Sequence, residues 1–321
     1  MPSFHNPMQT QSPEHEDVTQ ELKFEAPRAK LVSDRGSLMA IDVAATSHAG
    51  HVRTNNEDHY LVVRFGRSLE SIQTNVKPEI LRPNYNLTGY GLLVADGLGG
   101  MAGGEVASRT ALAKIVNLVI DTPDWILGFE DNAKVETMMA RMTERFLKVD
   151  ETLKDQADHD ASLSGMGTTL TTAATLNDDM VIGHIGDSRA YLFRNNVLTQ
   201  LTRDHTVAQE LIDAGIDRAD PATQSMRHVL TAALGSLGSR IQPEVQRIHL
   251  QDRDQILLCT DGLTEMVDDK TIASLLRNTS TAARACEDLT TVALAAGGSD
   301  NITVVLARFG STESKHPTAI N

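Results

Sequence analysis

Short apolar segments alternate with turn-forming residues along most of this chain, which is typical of β-strands joined by tight connections. Two consecutive asparagines in "RNNV" (residues 194–197) predict a hairpin turn, because asparagine tolerates a positive φ. Strands are predicted over eight segments: Ile41–Ala45, Tyr60–Arg64, Gly91–Ala95, Thr169–Thr175, Met180–Ile185, Ala190–Phe193, Gln255–Cys259 and Ile302–Ala307.

Helical periodicity is clear in two segments, Glu105–Ile120 and Val135–Leu153, and a third helix is predicted around Thr281–Ala295. The second segment carries a methionine-rich apolar stripe, which we interpret as core packing. The strands come in groups, and the helices lie between the groups. This order predicts antiparallel sheets covered by helices, an α+β fold, rather than a repeating βαβ array.

The 321 residues, of which 40% are hydrophobic, suffice for one large domain with a substantial core. Residues 1–37 are polar and aperiodic, so we expect a disordered tail there; the same holds for 310–321, leaving a domain at 38–309. The N-terminus has no apolar core typical of a signal peptide, and no apolar run reaches the roughly 18 residues that span a bilayer. With only two cysteines, the sequence favours a reducing, cytoplasmic location.

The chain is acidic, with 29 Lys and Arg against 43 Asp and Glu and a formal net charge of −14. Such a chain repels nucleic acid and anionic lipid, so neither is expected as a main partner. The same excess of carboxylates allows several of them to be gathered around a cation.

Six carboxylates lie at the ends of the predicted strands. Any one of them alone is better interpreted as a turn residue, since Asp-Gly favours hairpin turns. Together they indicate a shared site, because strand ends converge when sheets pack face to face. The set follows or precedes strands at Glu57, Asp58, Asp96, Asp187, Asp261 and Asp300.

Converging carboxylates repel one another and need a cation to stay ionised. Oxygen ligands favour a hard ion such as Mg²⁺ or Mn²⁺, and Gly97 would let a backbone carbonyl approach it. Two such ions can clamp a phosphoryl oxygen for in-line attack. Arg53, four residues before Glu57, can hold phosphate oxygens with its guanidinium fork. The pattern therefore predicts a polynuclear site for phosphate chemistry.

Eight blocks, in order, resemble the metal-dependent protein phosphatases (the PPM or type 2C class), particularly the bacterial Ser/Thr type. The resemblance covers roughly residues 40–308, and eight ordered blocks are far more specific than any one. The blocks are "SHAGHVRTNNED" (47–58), "LLVADGLGGMAGGEVAS" (92–108), "GMGTTL" (165–170), "HIGDSRAYLFR" (184–194), "LTRDHTVAQELIDAG" (201–215), "RHVLTAALG" (227–235), "ILLCTDGLTE" (256–265) and "GGSDNITVV" (297–305).

The resemblance implies an αββα sandwich of two antiparallel sheets flanked by helices, with two or three Mn²⁺ or Mg²⁺ ions at one end. It implies that Asp96 bridges two metals and that the Gly97 carbonyl binds one of them. Asp261 and Asp300 would complete the ligand set of the first metal.

By the same resemblance, Glu57 and Asp58 support the second metal, directly or through water. Asp187 and Asp261 would hold the third metal of many bacterial members. Arg53 would bind the substrate phosphate.

The chain departs from the family pattern in three places. Some relatives carry a proposed proton-donating histidine at the position of Leu98, and many bacterial members have histidine at the position of Met101. The interval Arg67–Gly91 is longer than in compact members, so we expect a surface insertion there. A flap is expected over 205–232, beside the cleft.

The implied activity is hydrolysis of phosphoserine and phosphothreonine in proteins, in which a hydroxide bridging the metals attacks phosphorus in line. The expected partners are phosphoprotein substrates and an opposing Ser/Thr kinase in a signalling pathway, and the expected state is a monomer. The alternative is an inactive PPM-fold binding module, which the intact acidic set disfavours. A dinucleotide-binding interpretation of "GLGGMA" (97–102) with Asp121 is weaker, because Asp96 would face the pyrophosphate.

Overall fold

A computed structural model describes residues 39–70, 72–73, 84–99, 103–122, 132–176, 178–236 and 241–311. The predicted N-terminal tail (1–37) lies outside these residues, as do Met101 and residues 312–321 of the predicted C-terminal tail (310–321). Residues 310 and 311 of that predicted tail belong to a strand instead. Among the described helices, none combines the length and the apolar character needed to cross a bilayer.

Twelve strands are found in the described part of the chain. Eight of them overlap the predicted segments: six are longer than predicted, one is identical, and one is shifted by a single residue. In chain order they are β1 (Met39–His48), β2 (His59–Glu70), β3 (Asn84–Ala95), β4 (Gly97–Leu98), β5 (Gly167–Thr168), β6 (Leu170–Leu176), β7 (Asp179–Ile185), β8 (Arg189–Arg194), β9 (Val197–Gln200), β10 (Glu244–His249), β11 (Gln255–Cys259) and β12 (Ile302–Ser311).

Seven α-helices accompany the strands in the described residues. They are α1 (Gly103–Asp121), α2 (Asn132–His159), α3 (Val207–Asp213), α4 (Pro221–Ser225), α5 (Asp261–Thr264), α6 (Asp269–Asn278) and α7 (Ala282–Ala295).

The long strands form two antiparallel five-stranded sheets, in the orders β1-β12-β11-β8-β9 and β10-β7-β6-β3-β2. Between them lies an apolar layer to which both sheets contribute alternate residues. In β11, Ile256 and Leu258 face the opposite sheet, whereas Leu257 and Cys259 face the helices α5–α7. This period of two is the physical signature of a strand buried on both faces.

Helices cover both outer faces, so the layers run helix, sheet, sheet, helix. The sheet with β7 packs against α1 and α2 through a cluster that includes Met138, Met142 and Phe146. The methionine-rich stripe is therefore core packing, as predicted. The predicted α+β fold is confirmed, and the antiparallel sheets exclude a dinucleotide-binding βαβ unit at "GLGGMA".

Several local predictions are confirmed and others need correction. Asn195 and Asn196, with φ of 52° and 64°, form the β8–β9 hairpin turn. Within the expected insertion at 67–91, residues 67–70 and 84–91 extend the β2–β3 hairpin, whose pairing reaches Glu70 and Asn84; residues 71 and 74–83 lie outside the described residues. Strands β4, β5, β9 and β10 and helices α3–α6 had no prediction, because they are short or edge elements with weak periodicity.

The antiparallel register within the two sheets brings six strand ends to one end of the sandwich. His59 at the start of β2 pairs with Ala95 at the end of β3. Cys259 at the end of β11 pairs with Val304, near the start of β12. Because β7 ends beside the start of β6, the segments that follow or precede all these strands meet in one place.

Candidate metal centre and active site

A cleft of about 740 Å³ opens at this end of the sandwich. Its lining brings together most of the residues that the sequence predicted for the site, and it adds residues of the flap. Lining side chains and backbone come from Arg53, Glu57, Asp96, Gly97, Leu98, Asp187, His228, Leu230, Asp261, Glu265, Asp300 and Asn301, among others.

Asp58 does not line the cleft but lies buried beside it, only 4% exposed. One carboxylate oxygen, Oδ2, accepts a hydrogen bond of 2.7 Å from the hydroxyl of Thr260. The other oxygen, Oδ1, is buried without a hydrogen-bond partner. Burial raises the pKa of Asp58 to about 7, against hydrogen bonds from Thr260 and Thr303 that favour the charged form.

Asp96 follows β3 and is held by its backbone. Its N–H donates to the Thr169 hydroxyl (2.9 Å), and its carbonyl accepts from the Thr168 hydroxyl (2.8 Å). These bonds leave the Asp96 carboxylate to face its acidic neighbours. Burial, together with Asp58 and Asp261, raises the pKa of Asp96 well above its ordinary value.

Asp261 is the first residue of α5, one position after Thr260. The Thr260 side chain does not cap the helix and instead holds Asp58. Oδ1 of Asp261 is buried and makes no hydrogen bond. Burial, reinforced by the charges of Glu265 and Asp300, raises the pKa of Asp261 to about 6.

Asp187 occupies the turn between β7 and β8, next to Gly186. Burial raises the pKa of its carboxyl well above the ordinary value, and the charges of Asp261 and Asp204 raise it further. Asp204 is itself neutralised by the Arg189 guanidinium, which donates to it through Nε and Nη2 at 2.9 and 2.6 Å. Among the described residues no Arg or Lys forms an ion pair with Asp187, so its carboxylate is available to a cation.

Glu57 and Gly97 lie against the start of α1 at very close range. A Cβ on Gly97 would stand 2.2 Å from the Gly104 carbonyl oxygen, and one on Gly104 would stand 2.5 Å from Oε2 of Glu57. The Gly97 N–H donates to the Glu57 carbonyl at 3.2 Å. Only glycine fits at both positions, so the two glycines set how closely Glu57 approaches the cleft.

Arg53 is the main cation of the cleft lining, and its Nη2 donates to Oδ2 of Asp300 at 2.7 Å. Its side chain is 57% exposed, so the rest of the guanidinium fork faces solvent in the cleft. The arrangement holds Arg53 in place and still leaves donors for an oxyanion.

Asn301 is a site residue that sequence reasoning missed. Its side-chain amide donates to the carbonyls of Ala49 (3.0 Å) and Asn55 (2.9 Å), and its Oδ1 accepts from the Glu57 N–H (2.8 Å). One side chain therefore fixes the whole loop that carries Arg53. The signal was present in "SDNITVV", but a single asparagine beside an aspartate is ambiguous in sequence.

His228 is a second residue that sequence reasoning missed. Its Nδ1 lies 2.8 Å from Oε1 of Glu265, and both are close to the Asp261 carboxylate. No histidine-ligand spacing in the sequence indicated this, because the flap brings His228 to the cleft from a position distant along the chain.

The site fits divalent cations, judged by its own polar groups. Two buried carboxylate oxygens, one on Asp58 and one on Asp261, have no hydrogen-bond donor. The pKa values of four carboxyls are all raised: Asp58, Asp96, Asp187 and Asp261. The fold therefore disfavours a state in which all four are ionised. Oxygen ligands of this kind suit Mg²⁺ or Mn²⁺, whose charge would remove the repulsion.

Comparison with known proteins agrees with this geometry. The profile of the protein phosphatase 2C family matches residues 86–296. The serine/threonine phosphatase stp of Listeria monocytogenes is 34% identical over 223 residues, covering 69% of this chain and 85% of that protein.

Solved structures show the same fold. The serine/threonine phosphatase PstP/Ppp of Mycobacterium tuberculosis aligns with a TM-score of 0.65 and 33% identity, covering 84% of this chain and 99% of that chain. A structure of the PstP catalytic domain in complex with two manganese ions aligns with a TM-score of 0.65 and 32% identity, covering 85% and 99%.

The fold and the acidic cleft define a helix-sheet-sheet-helix protein with a site for divalent cations. On the matches above, the chain belongs to the protein phosphatase 2C family.

Proposed function

We propose that this protein removes phosphate from phosphoserine and phosphothreonine residues of other proteins, using Mn²⁺ or Mg²⁺. The observation that carries the proposal is the cluster of buried, mutually repelling carboxylates beside an exposed arginine. The named activity of relatives that share the family, the Ser/Thr phosphatases stp and PstP, supports the same reaction class.

The residues that would hold the cations are those at the strand ends. In this proposal Asp96, the Gly97 carbonyl, Asp261 and Asp300 serve one ion, and Asp96 is shared with a second. Glu57 and Asp58 serve that second ion, directly or through water. When bound, the ions neutralise the carboxylates, activate water and polarise the phosphoryl group.

A third ion is part of the proposal, with Asp187 and Asp261 as its ligands. Burial and, after it, the charge of Asp261 raise the pKa of Asp187, as expected for buried carboxyls that share a cation site.

Arg53 would bind the nonbridging oxygens of the substrate phosphate. Asp300 fixes one side of its guanidinium, and the remaining N–H groups present a fork that matches two phosphate oxygens. This contact would orient the phosphorus for in-line attack by water.

Water is the proposed nucleophile, and no phosphoenzyme forms on cysteine. Cys259 and Cys286, the two cysteines of the chain, are both buried. Burial raises the pKa of each thiol to about 12, which suppresses the reactive thiolate. Leu98 has no proton to give, so we assign protonation of the leaving alkoxide to water in the cleft.

The alternative, an inactive binding module with this fold, is not favoured. Each of the seven acidic and glycine ligands and Arg53 is present, and the relatives above carry the names of phosphatases. We further propose that the protein acts as a monomer in the cytoplasm, opposing a Ser/Thr kinase.

The test is release of inorganic phosphate from phosphothreonine, phosphoserine and phosphotyrosine peptides by the full chain, in Mn²⁺, in Mg²⁺ and in EDTA. We expect metal-dependent turnover of the first two peptides and none in EDTA. Absence of turnover by folded protein in both metals would favour the binding module.

A further inference from the structure

His205 connects the turn that carries Asp187 to the base of the flap. It lies at the start of the flap segment and is buried, 8% exposed. Its backbone N–H donates to the Gly186 carbonyl (2.8 Å), and its Nδ1 accepts from the Gly186 N–H (3.0 Å). One residue thus satisfies both backbone polar groups of Gly186, which directly precedes Asp187.

The backbone at Gly186 is tightly constrained by its conformation and its neighbours. Its φ is +108°, and a Cβ there would stand 2.5 Å from the side chain of Thr169. The Thr169 hydroxyl accepts from the Asp96 N–H and bonds to Ser188. The Asp187 turn is therefore packed against the residue that holds Asp96, and a shift of Gly186 would be felt at both carboxylates.

The other side of His205 belongs to the flap. Its carbonyl accepts from the Thr231 N–H (2.8 Å), and the next residues continue a short ladder in which Val207 donates to the Val229 carbonyl (2.8 Å). The returning strand of this ladder leads to His228 and Leu230, which line the cleft. The position of the flap base and the position of the Asp187 turn are thus set by the same residue.

The geometry also fixes the proton on His205. Because Nδ1 accepts a hydrogen bond from a backbone N–H, the ring is neutral and carries its proton on Nε2, which lies 3.4 Å from Oε1 of Glu244. The ring stacks on His184, with centroids 5.0 Å apart. His184 in turn donates through Nε2 to the Arg203 carbonyl (3.0 Å), which steadies the chain leading into His205.

We propose that His205 is a positioning residue: its Nδ1 holds the Asp187 turn and the flap base in one arrangement. Asp187 and the cleft-lining end of the flap then move together or not at all. The inference rests on the proposed function for its catalytic consequence, but the coupling itself is a property of the chain and can be measured without metal or substrate.

Three variants separate this role from simple packing. His205→Ala removes the acceptor, His205→Asn returns an acceptor near the Nδ1 position, and His205→Gln returns one near Nε2. His249→Ala is the control, because His249 is exposed and its described polar partners are Asp179 (3.1 Å) and Arg194, which belong to neither the flap nor the Asp187 turn.

The first readout is residue-resolved amide hydrogen exchange of the metal-free protein. In His205→Ala we expect exchange to quicken by roughly tenfold at Gly186 and also at the flap base, at the amides of Val207 and Thr231, with β11 and β12 unchanged. His205→Asn should restore slow exchange in both segments, and His205→Gln should restore neither. Equal exchange rates in His205→Asn and His205→Gln overturn the proposal. So does faster exchange in only one of the two segments of His205→Ala.

The second readout is the Mn²⁺ concentration at half-maximal phosphatase activity. We expect it to rise by about 10- to 100-fold in His205→Ala and to recover in His205→Asn. If the His205 variants change exchange in both segments as expected but the wild type has no phosphatase activity, the proposed function fails and the coupling of the two segments stands. If the wild type is active and the exchange pattern is absent, only the role of His205 fails.

Discussion

At the scale of single residues, the cleft is dominated by carboxyls whose charged forms are opposed. Asp58 is the extreme case, with one oxygen held by Thr260 and the other buried without a donor. In water such a carboxyl would ionise freely, but inside the fold it needs a positive partner. Arg53 cannot be that partner for the whole cluster, because it is engaged with Asp300.

Replacement of Arg53 tests phosphate binding. We expect Arg53→Ala to lower kcat/KM for a phosphothreonine peptide by about 100-fold, roughly 3 kcal/mol, because a fork of charged donors is lost. The kcat/KM of Arg53→Lys should lie between the values of the wild type and Arg53→Ala, since a point charge replaces a bidentate contact. Steady-state kinetics in Mn²⁺ measure both.

The control for this series is Arg64→Ala, because Arg64 is an exposed residue of β2. It should leave kcat/KM unchanged, which separates the loss of one specific contact from the loss of general positive charge. A kcat/KM for Arg53→Ala within error of the control would remove Arg53 from the site. Unfolding temperatures should be similar for both variants, because the ion pair with Asp300 is largely exposed to solvent.

The raised pKa values of Asp58 and Asp261, about 7 and about 6, predict the pH dependence of stability in EDTA. A carboxyl with a raised folded-state pKa binds its proton more tightly when folded. Its contribution is present at low pH and is lost as pH rises from about 4 through the folded pKa. We therefore expect the unfolding temperature of the chelated protein to fall between pH 5 and 7.5.

Asp58→Asn is the matched variant for this pH experiment, and thermal unfolding in EDTA is the measurement. Removing the buried charge should flatten the fall with pH and raise the unfolding temperature at pH 7.5 by several degrees, at about 2–4 °C per kcal/mol. Mn²⁺ should stabilise the wild type most at the higher pH. An identical pH slope in the wild type and in Asp58→Asn would contradict the account.

At the scale of elements, the site is built by strand ends, and this is why much of it could be predicted. An apolar strand followed by Asp-Gly is visible in one stretch of sequence. The strands before Asp96 and Asp261 belong to different sheets, and face-to-face packing of the two sheets brings both residues to the same end of the sandwich. The buried strands β7, β11 and β12 were predictable for the same reason, since strong apolar runs determine them.

Other parts of the site depend on long-range contacts that no local pattern records. Asn301 reaches back to Ala49, Asn55 and Glu57 across the sheet. The Thr260 side chain makes no helix-capping hydrogen bond and instead donates to the Asp58 carboxylate. The two roles depend on partners more than 200 positions away, so residue type alone could not predict them.

The close packing of Gly97 predicts a strong effect of a single methyl group. Gly97→Ala would put a Cβ 2.2 Å from the Gly104 carbonyl oxygen, forcing β4 and α1 apart and displacing Glu57. We expect a loss of about 1–3 kcal/mol in the free energy of unfolding and a loss of metal-dependent activity. Urea unfolding and phosphate release measure the two effects.

Gly310→Ala is the control for this experiment, because nothing lies within 4 Å of a Cβ placed there. It should change the free energy of unfolding by no more than about 0.5 kcal/mol. Equal stability of Gly97→Ala and Gly310→Ala would show that the approach of α1 to β4 is looser than described.

At the scale of the whole molecule, the two sheets form one scaffold that carries the candidate site at one end. Strand β1 begins at Met39 and pairs with Ser311 at the end of β12, close to the predicted domain limits of 38 and 309. We propose that this domain folds and acts without the segments outside it.

Truncation tests that proposal. A fragment of residues 38–311 should keep kcat/KM for a short phosphothreonine peptide within about twofold of the full chain, since the described residues that line the cleft all lie between 53 and 301. Its unfolding temperature should be unchanged. A fragment that is well folded but inactive would show that a tail takes part in the site.

The measurement that tests the central claim most directly is phosphate release from a phosphothreonine peptide by the wild type, Asp261→Asn and the exposed control Asp252→Asn. Each protein is assayed in Mn²⁺, in Mg²⁺ and in EDTA. We predict metal-dependent turnover by the wild type and the control, and a fall of at least about 100-fold in Asp261→Asn. Turnover that survives in EDTA, or that Asp261→Asn retains in full, would contradict a metal-dependent phosphatase centred on these carboxylates.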